Sequence, residues 1–197
     1  QLDATKAALA TNYPVALVIV FLLLVAIFRH WGYPLLIMTT IPLGIAAGIV
    51  GLALLNGFGA LLGAIGLGGF HQSFDMISML GFLILMGTVV NNPILIVDRA
   101  TRSIREGGMS AVDAVRDAVS SRIRPIAMST LTTICGLAPL VFIPGAGTEL
   151  YRGVGAIVMF GILGAAIVSL TMLPALTVAV LQWSEQRATA RELAPGT

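Results

Sequence analysis

The chain has 197 residues, 57% of them hydrophobic and only 10% charged, with a mean hydropathy of +0.98. A water-soluble core of this length does not need the long uncharged stretches seen here, so the composition excludes an ordinary soluble domain. The formal charge of +2 is modest, and its placement along the chain says more than its size.

Five apolar stretches are long enough, or nearly so, to cross about 30 Å of hydrocarbon at about 1.5 Å per residue. They run over about 13–28, 33–55, 76–97, 126–143 and 153–181. Residues 1–12 read as a lead-in and 183–197 as a tail. The expected fold is an all-α membrane protein, a bundle of five transmembrane helices with one short amphipathic helix on the cytoplasmic side.

The first stretch stops at Arg29-His30-Trp31. Gly44, Gly48 and Gly51 mark one face of the second, as expected where helices approach closely. Residues 56–69 follow, apolar but rich in glycine, and are expected to form a loop or a shallow interfacial turn. The third stretch holds the most informative feature of the chain, the consecutive amides Asn91 and Asn92. Amides within a span are costly unless another helix or a water-filled cavity satisfies them. Pro93 follows directly and deprives the Val89 carbonyl of its helical donor. Interhelical glue is the bland explanation of such a pair; a working surface inside a bundle is the sharper one.

Gly107-Gly108 break the chain after the third stretch, and Ser110 with Asp113 forms an N-cap signature. Apolar residues from Ala111 to Val119 then recur at helical spacing. That predicts a surface helix over about 110–121, with Pro125 in the first turn of the next span. The fourth stretch carries Ser129, Thr130, Thr132 and Thr133. Such hydroxyls usually bond to their own preceding carbonyls. Ser129 and Thr130 are nonetheless expected at a depth similar to that of Asn91 and Asn92. Gly161, Gly164 and Ala165 form a further packing face in the fifth stretch. Cys135, the one cysteine, reads as a small packing residue.

Nine of the eleven basic residues fall on one side of this five-span arrangement, and only Lys6 and Arg152 on the other. The positive-inside rule then puts the arginine side in the cytoplasm, the N-terminus outside (in the periplasm if the cell is Gram-negative) and the C-terminus inside. Aspartates in the loop and its place between two spans argue against nucleic-acid binding. No metal-ligand cluster, nucleophile with a positioned base or phosphate-binding loop appears. No Asp, Glu, Lys or His lies within a span, so nothing in these stretches titrates to carry a proton.

Three segments in order, Gly87-Thr-Val-Val-Asn-Asn-Pro-Ile-Leu-Ile-Val-Asp98, Arg122-Ile-Arg-Pro-Ile-Ala-Met-Ser129 and Pro144-Gly-Ala-Gly147, carry a resemblance. With Phe28-Arg-His-Trp31, Ile41-Pro-Leu-Gly44 and Pro174, the chain resembles the C-terminal transmembrane half of resistance–nodulation–division (RND) efflux permeases of the hydrophobe and amphiphile exporter type. The resemblance implies a proton-driven exporter in the bacterial inner membrane and a homotrimer working with a periplasmic adaptor and an outer-membrane channel. It implies no cofactor beyond the proton gradient. It also implies that the chain is one half of a longer protein, whose N-terminal half supplies the proton-carrying carboxylates. Asn91, Asn92, Arg122 and Ser129 match positions at the proton relay of that family, and Thr130, next to Ser129, is expected on the same proton-relay face. Asn91 departs from the lysine that many drug exporters carry there, which removes an ammonium from the relay's charge balance. The alternative of a different class is a non-transporting membrane subunit or scaffold, in which the asparagines only hold helices together.

Overall fold

In the computed structural model the described residues are 2–29, 31–66, 69–143, 145 and 147–192, with side chains described from Asn12 to Trp183 apart from the same gaps. The tail beyond Glu192 lies outside them. Seven helices are formed and, among the described residues, no strand. They are α1 (Leu2–Phe28), α2 (Gly32–Met38), α3 (Thr40–Ala64), α4 (Met76–Val89), α5 (Asn91–Gly107), α6 (Ala111–Phe142) and α7 (Thr148–Glu192). Four stretches are long and apolar enough to cross a membrane, namely Gly32–Ala64, Met76–Gly107, Ala111–Phe142 and Thr148–Trp183, and Asn12–Phe28 is a shorter apolar helix. The all-α membrane bundle expected from the sequence is what forms.

Helix α7 is the central post, packed against α3, α4 and α6 along its length. Its register is set by glycines. A Cβ at Gly81 would press on Val154 and Ile157, one at Gly161 would strike Leu85, and one at Gly164 would strike Ala47. These pairs make α4 parallel to α7 and α3 antiparallel to both. Backbones approach closely where side chains are missing, which is how helices associate when lipid and protein interior are equally apolar. Leu52, Leu55, Phe82, Leu85, Val141 and Ile157 fill one end of the core. Leu24, Ile37, Ile96, Val97, Ile126 and Leu173 fill the other.

Two expectations about continuity are corrected. Residues 56–64 are helix, not a loop. Gly59 and Gly63 do not break α3 but admit the returning chain, since a Cβ at Gly59 would collide with the Phe70 carbonyl and one at Gly63 would press on the Gly69 backbone. The third span is formed over Met76–Gly107 and is interrupted at Val90, between α4 and α5, close to the break expected from Pro93. The amphipathic segment expected at 110–121 is not a separate helix; α6 runs from Ala111 through Pro125 to Phe142. Proline removes the bond to the Ser121 carbonyl, and Ser121 is exposed, so solvent can take that acceptor.

The junction between α5 and α6 is built from local chemistry. Gly108 adopts the left-handed conformation, with φ +59°, and ends α5. Ser110 then caps α6, accepting from the Asp113 backbone N–H at 3.2 Å and donating to the Asp113 carboxylate at 2.7 Å. Arg99 of α5 reaches Asp117 of α6 at 3.3 Å.

A candidate relay face across α4, α5 and α6

The site residues named from the sequence all lie on α5 and α6, and the packing sends them in different directions. Asn91, the first residue of α5, is exposed; Asn92 is half-buried and Pro93 is buried. On α6, Ser129 is exposed, Arg122 is half-buried and Thr130 is buried. At about 1.5 Å per residue, Asn91 stands about 24 Å along α5 from Gly107 and Ser129 about 28 Å along α6 from Ser110. The two antiparallel helices thus carry them to levels within about one turn of each other.

No hydrogen bond joins Asn91, Asn92, Arg122, Ser129 or Thr130 to another member of this set. Ser129 donates to the Ile126 carbonyl at 3.0 Å, Thr132 to Met128 at 2.8 Å and Thr133 to Ser129 at 2.9 Å. Thr88, exposed on the last turn of α4, donates to Ile84 and Leu85 at 3.0 and 3.1 Å. These hydroxyls are satisfied by their own helix, so lipid or a neighbouring helix can cover them at little cost. The Asn91 amide has no such local solution. Thr130 differs again, for its Oγ1 is buried without a partner.

The surrounding surface is unfinished. Only 17% of the apolar window of α6 is buried, against 44–50% for the other three long spans. Gly87, Thr88, Asn91, Met128, Ser129, Leu131, Thr132 and Gly136 are all exposed. Among the described residues no group of three or more His, Cys, Asp and Glu side chains could hold a metal ion.

Sequence reasoning passed over a second polar cluster at the opposite end of the bundle, where α3 ends and α4 and α7 begin. Asn56 clamps the returning loop with both ends of its amide: Nδ2 donates to the Gln72 carbonyl at 3.0 Å and Oδ1 accepts from the Gln72 N–H at 2.8 Å. Gln72, Ser78 and Arg152 are buried there. The available signal was Arg152 itself, one of only two basic residues on its side of the spans.

Comparison with known proteins decides the family. The profile of the AcrB/AcrD/AcrF family matches residues 1–181. The chain belongs to that family. Similar members include multidrug resistance protein MdtF of Escherichia coli O6:H1 (strain CFT073), 35% identical over 168 residues, which are 85% of this chain and 15% of that protein. Multidrug resistance protein MdtC of Pectobacterium atrosepticum is 33% identical over 159 residues, covering 81% and 14%. Multidrug export protein AcrF of Escherichia coli K12 is 32% identical over 166 residues, covering 84% and 15%. The chain therefore spans about 15% of the length of these AcrB/AcrD/AcrF relatives. The match and the apolar helices agree with the resemblance to RND efflux permeases, and the chain is a multi-pass membrane protein of that family.

Proposed function

We propose that this chain is the membrane half-domain of a proton-coupled RND-type exporter of the bacterial inner membrane. It contributes the polar face that meets the proton-carrying carboxylates of an N-terminal half. The observation that carries the reading is the Asn91 amide, exposed within a span and without a hydrogen bond in this chain, on an α5–α6 surface that the chain leaves uncovered. An amide facing hydrocarbon is costly, so a polar partner from outside the chain belongs there. Asn92, Arg122, Ser129 and Thr130 flank it on the same two helices. Amides do not titrate near neutral pH, so their part is to orient and hydrogen-bond groups that do. Pro93 adds an open carbonyl at Val89, a further acceptor for a water or a side chain at the same level.

The assembly that follows is a homotrimer with a periplasmic adaptor and an outer-membrane channel, its N-terminus periplasmic and its C-terminus cytoplasmic. The scaffold reading requires the asparagines to bind helices together. Within this chain neither amide does so, which weighs against it. The discriminating test is Asn91→Leu and Asn92→Leu in the intact permease. Loss of transport with unchanged abundance is expected for a relay face. A scaffold role instead predicts lost assembly, at about 1–2 kcal/mol per interhelical bond. Transport equal to wild type in both variants refutes the relay face.

A further inference from the structure

Among the described residues, Arg152 is a cation without a counter-charge. It lies in the first turns of α7 and is only 5% exposed, and its Nε is buried with no hydrogen-bond partner. Phe70 roofs it, with the guanidinium carbon 4.6 Å from the ring centroid, and the Asn56–Gln72 clamp fixes the loop that carries this roof. A cation–π contact offsets part of the desolvation of a guanidinium but satisfies none of its five N–H donors. Charges buried this deeply are normally paired.

The described carboxylates at this end of the bundle, Asp75 and Glu149, do not supply the pair. Asp75 is engaged as the N-cap of α4, accepting from the Ser78 N–H at 2.8 Å. Glu149, one turn before Arg152 on α7, is exposed. Neither lies within ion-pair distance of the guanidinium; among the described residues the ion pairs are Arg99–Asp117 and Arg102–Glu106.

We propose that Arg152 is the membrane-side half of a buried ion pair whose other half is an Asp or Glu carboxylate. That carboxylate is borne by the part of the permease outside this chain, and it pins that part to the ends of α3, α4 and α7. This rests on the reading of the chain as one section of a longer permease. Two features favour a protein carboxylate over a phospholipid phosphate. The guanidinium is almost wholly enclosed, so its partner must be slender; a phosphodiester carries a substituent on each side, whereas a carboxylate ends a one- or two-methylene arm. Among the described residues the site also lacks the cluster of further cations that recognition of anionic lipid normally uses. Phe70 then has a defined task, excluding water and lipid from one face so that only the edge of the fork remains to be filled.

The test uses the intact permease carrying Arg152→Lys, treated with a water-soluble carbodiimide, which joins an amine to a touching carboxylate. Peptide mapping is expected to find Lys at position 152 linked to an Asp or Glu outside the 197 residues. A link to Asp3, Asp75 or Glu149, or no link in folded protein, overturns the proposal. If the variant does not fold, an experimental structure of the unsubstituted permease answers the same question. It is expected to place a carboxylate oxygen from outside the chain within about 4 Å of the Arg152 guanidinium; water, a lipid phosphate or an empty space there overturns it. A gene that encodes no more than these 197 residues refutes the parent reading instead, so the two failures are distinct.

Discussion

Gly51 and Gly57 lie six residues apart on α3, on different faces, and make opposite predictions for one added methyl group. Each Gly→Ala change gains about the same helix propensity, near 1 kcal/mol, so that contribution cancels between them. At Gly57 an added Cβ meets nothing within 4 Å, whereas at Gly51 it collides with Cβ and Cγ of Phe160 on α7. Those atoms sit at the root of the Phe160 side chain, so a rotamer change cannot clear them and the helices themselves must part. Overpacking of this kind costs about 1–3 kcal/mol. Gly51→Ala should therefore be about 1–3 kcal/mol less stable than Gly57→Ala. Titration of helix content with a denaturing detergent, starting from mild micelles, reads the difference directly. Equal midpoints within about 0.3 kcal/mol would refute the α3–α7 register and the reasoning from close approach.

Asn56→Ala strips both partners from the Gln72 backbone and should cost about 1–3 kcal/mol, with the Gln72 amide losing its protection from hydrogen exchange; retained protection would refute the clamp. Arg99→Gln or Asp117→Asn should cost less than about 1 kcal/mol by the same detergent titration, because both side chains are more than 40% exposed. Finally, a cysteine at position 107 in a Cys135→Ser background should label from the cytoplasmic side only; labelling from outside would overturn the orientation derived from arginine placement.

The existence of apolar spans, the cap at Ser110 and the break at Gly108 were legible in the sequence, because each depends on a few neighbouring residues. A span needs only enough uncharged length, and a capping hydroxyl needs only its own N–H three residues on. Helix continuity was not legible. Glycine disfavours helix by about 1 kcal/mol, which argued for a loop at 56–69, yet close packing of Gly59 and Gly63 against residues 69–70 outweighs that penalty, and these partners are invisible to any local rule. Pro125 likewise suggested a helix start and lies within α6, because exposed Ser121 leaves its orphaned carbonyl to solvent. At the candidate relay face the sequence determined which polar residues are available, namely Asn91, Asn92, Arg122, Ser129 and Thr130. Only the tertiary structure decided that Asn91 and Ser129 face outward while Thr130 faces inward, since the direction of a helix face depends on which neighbour buries the other side. Arg152 shows the same division: its charge was evident from the sequence, but its burial beneath Phe70 follows from the meeting of three helix ends.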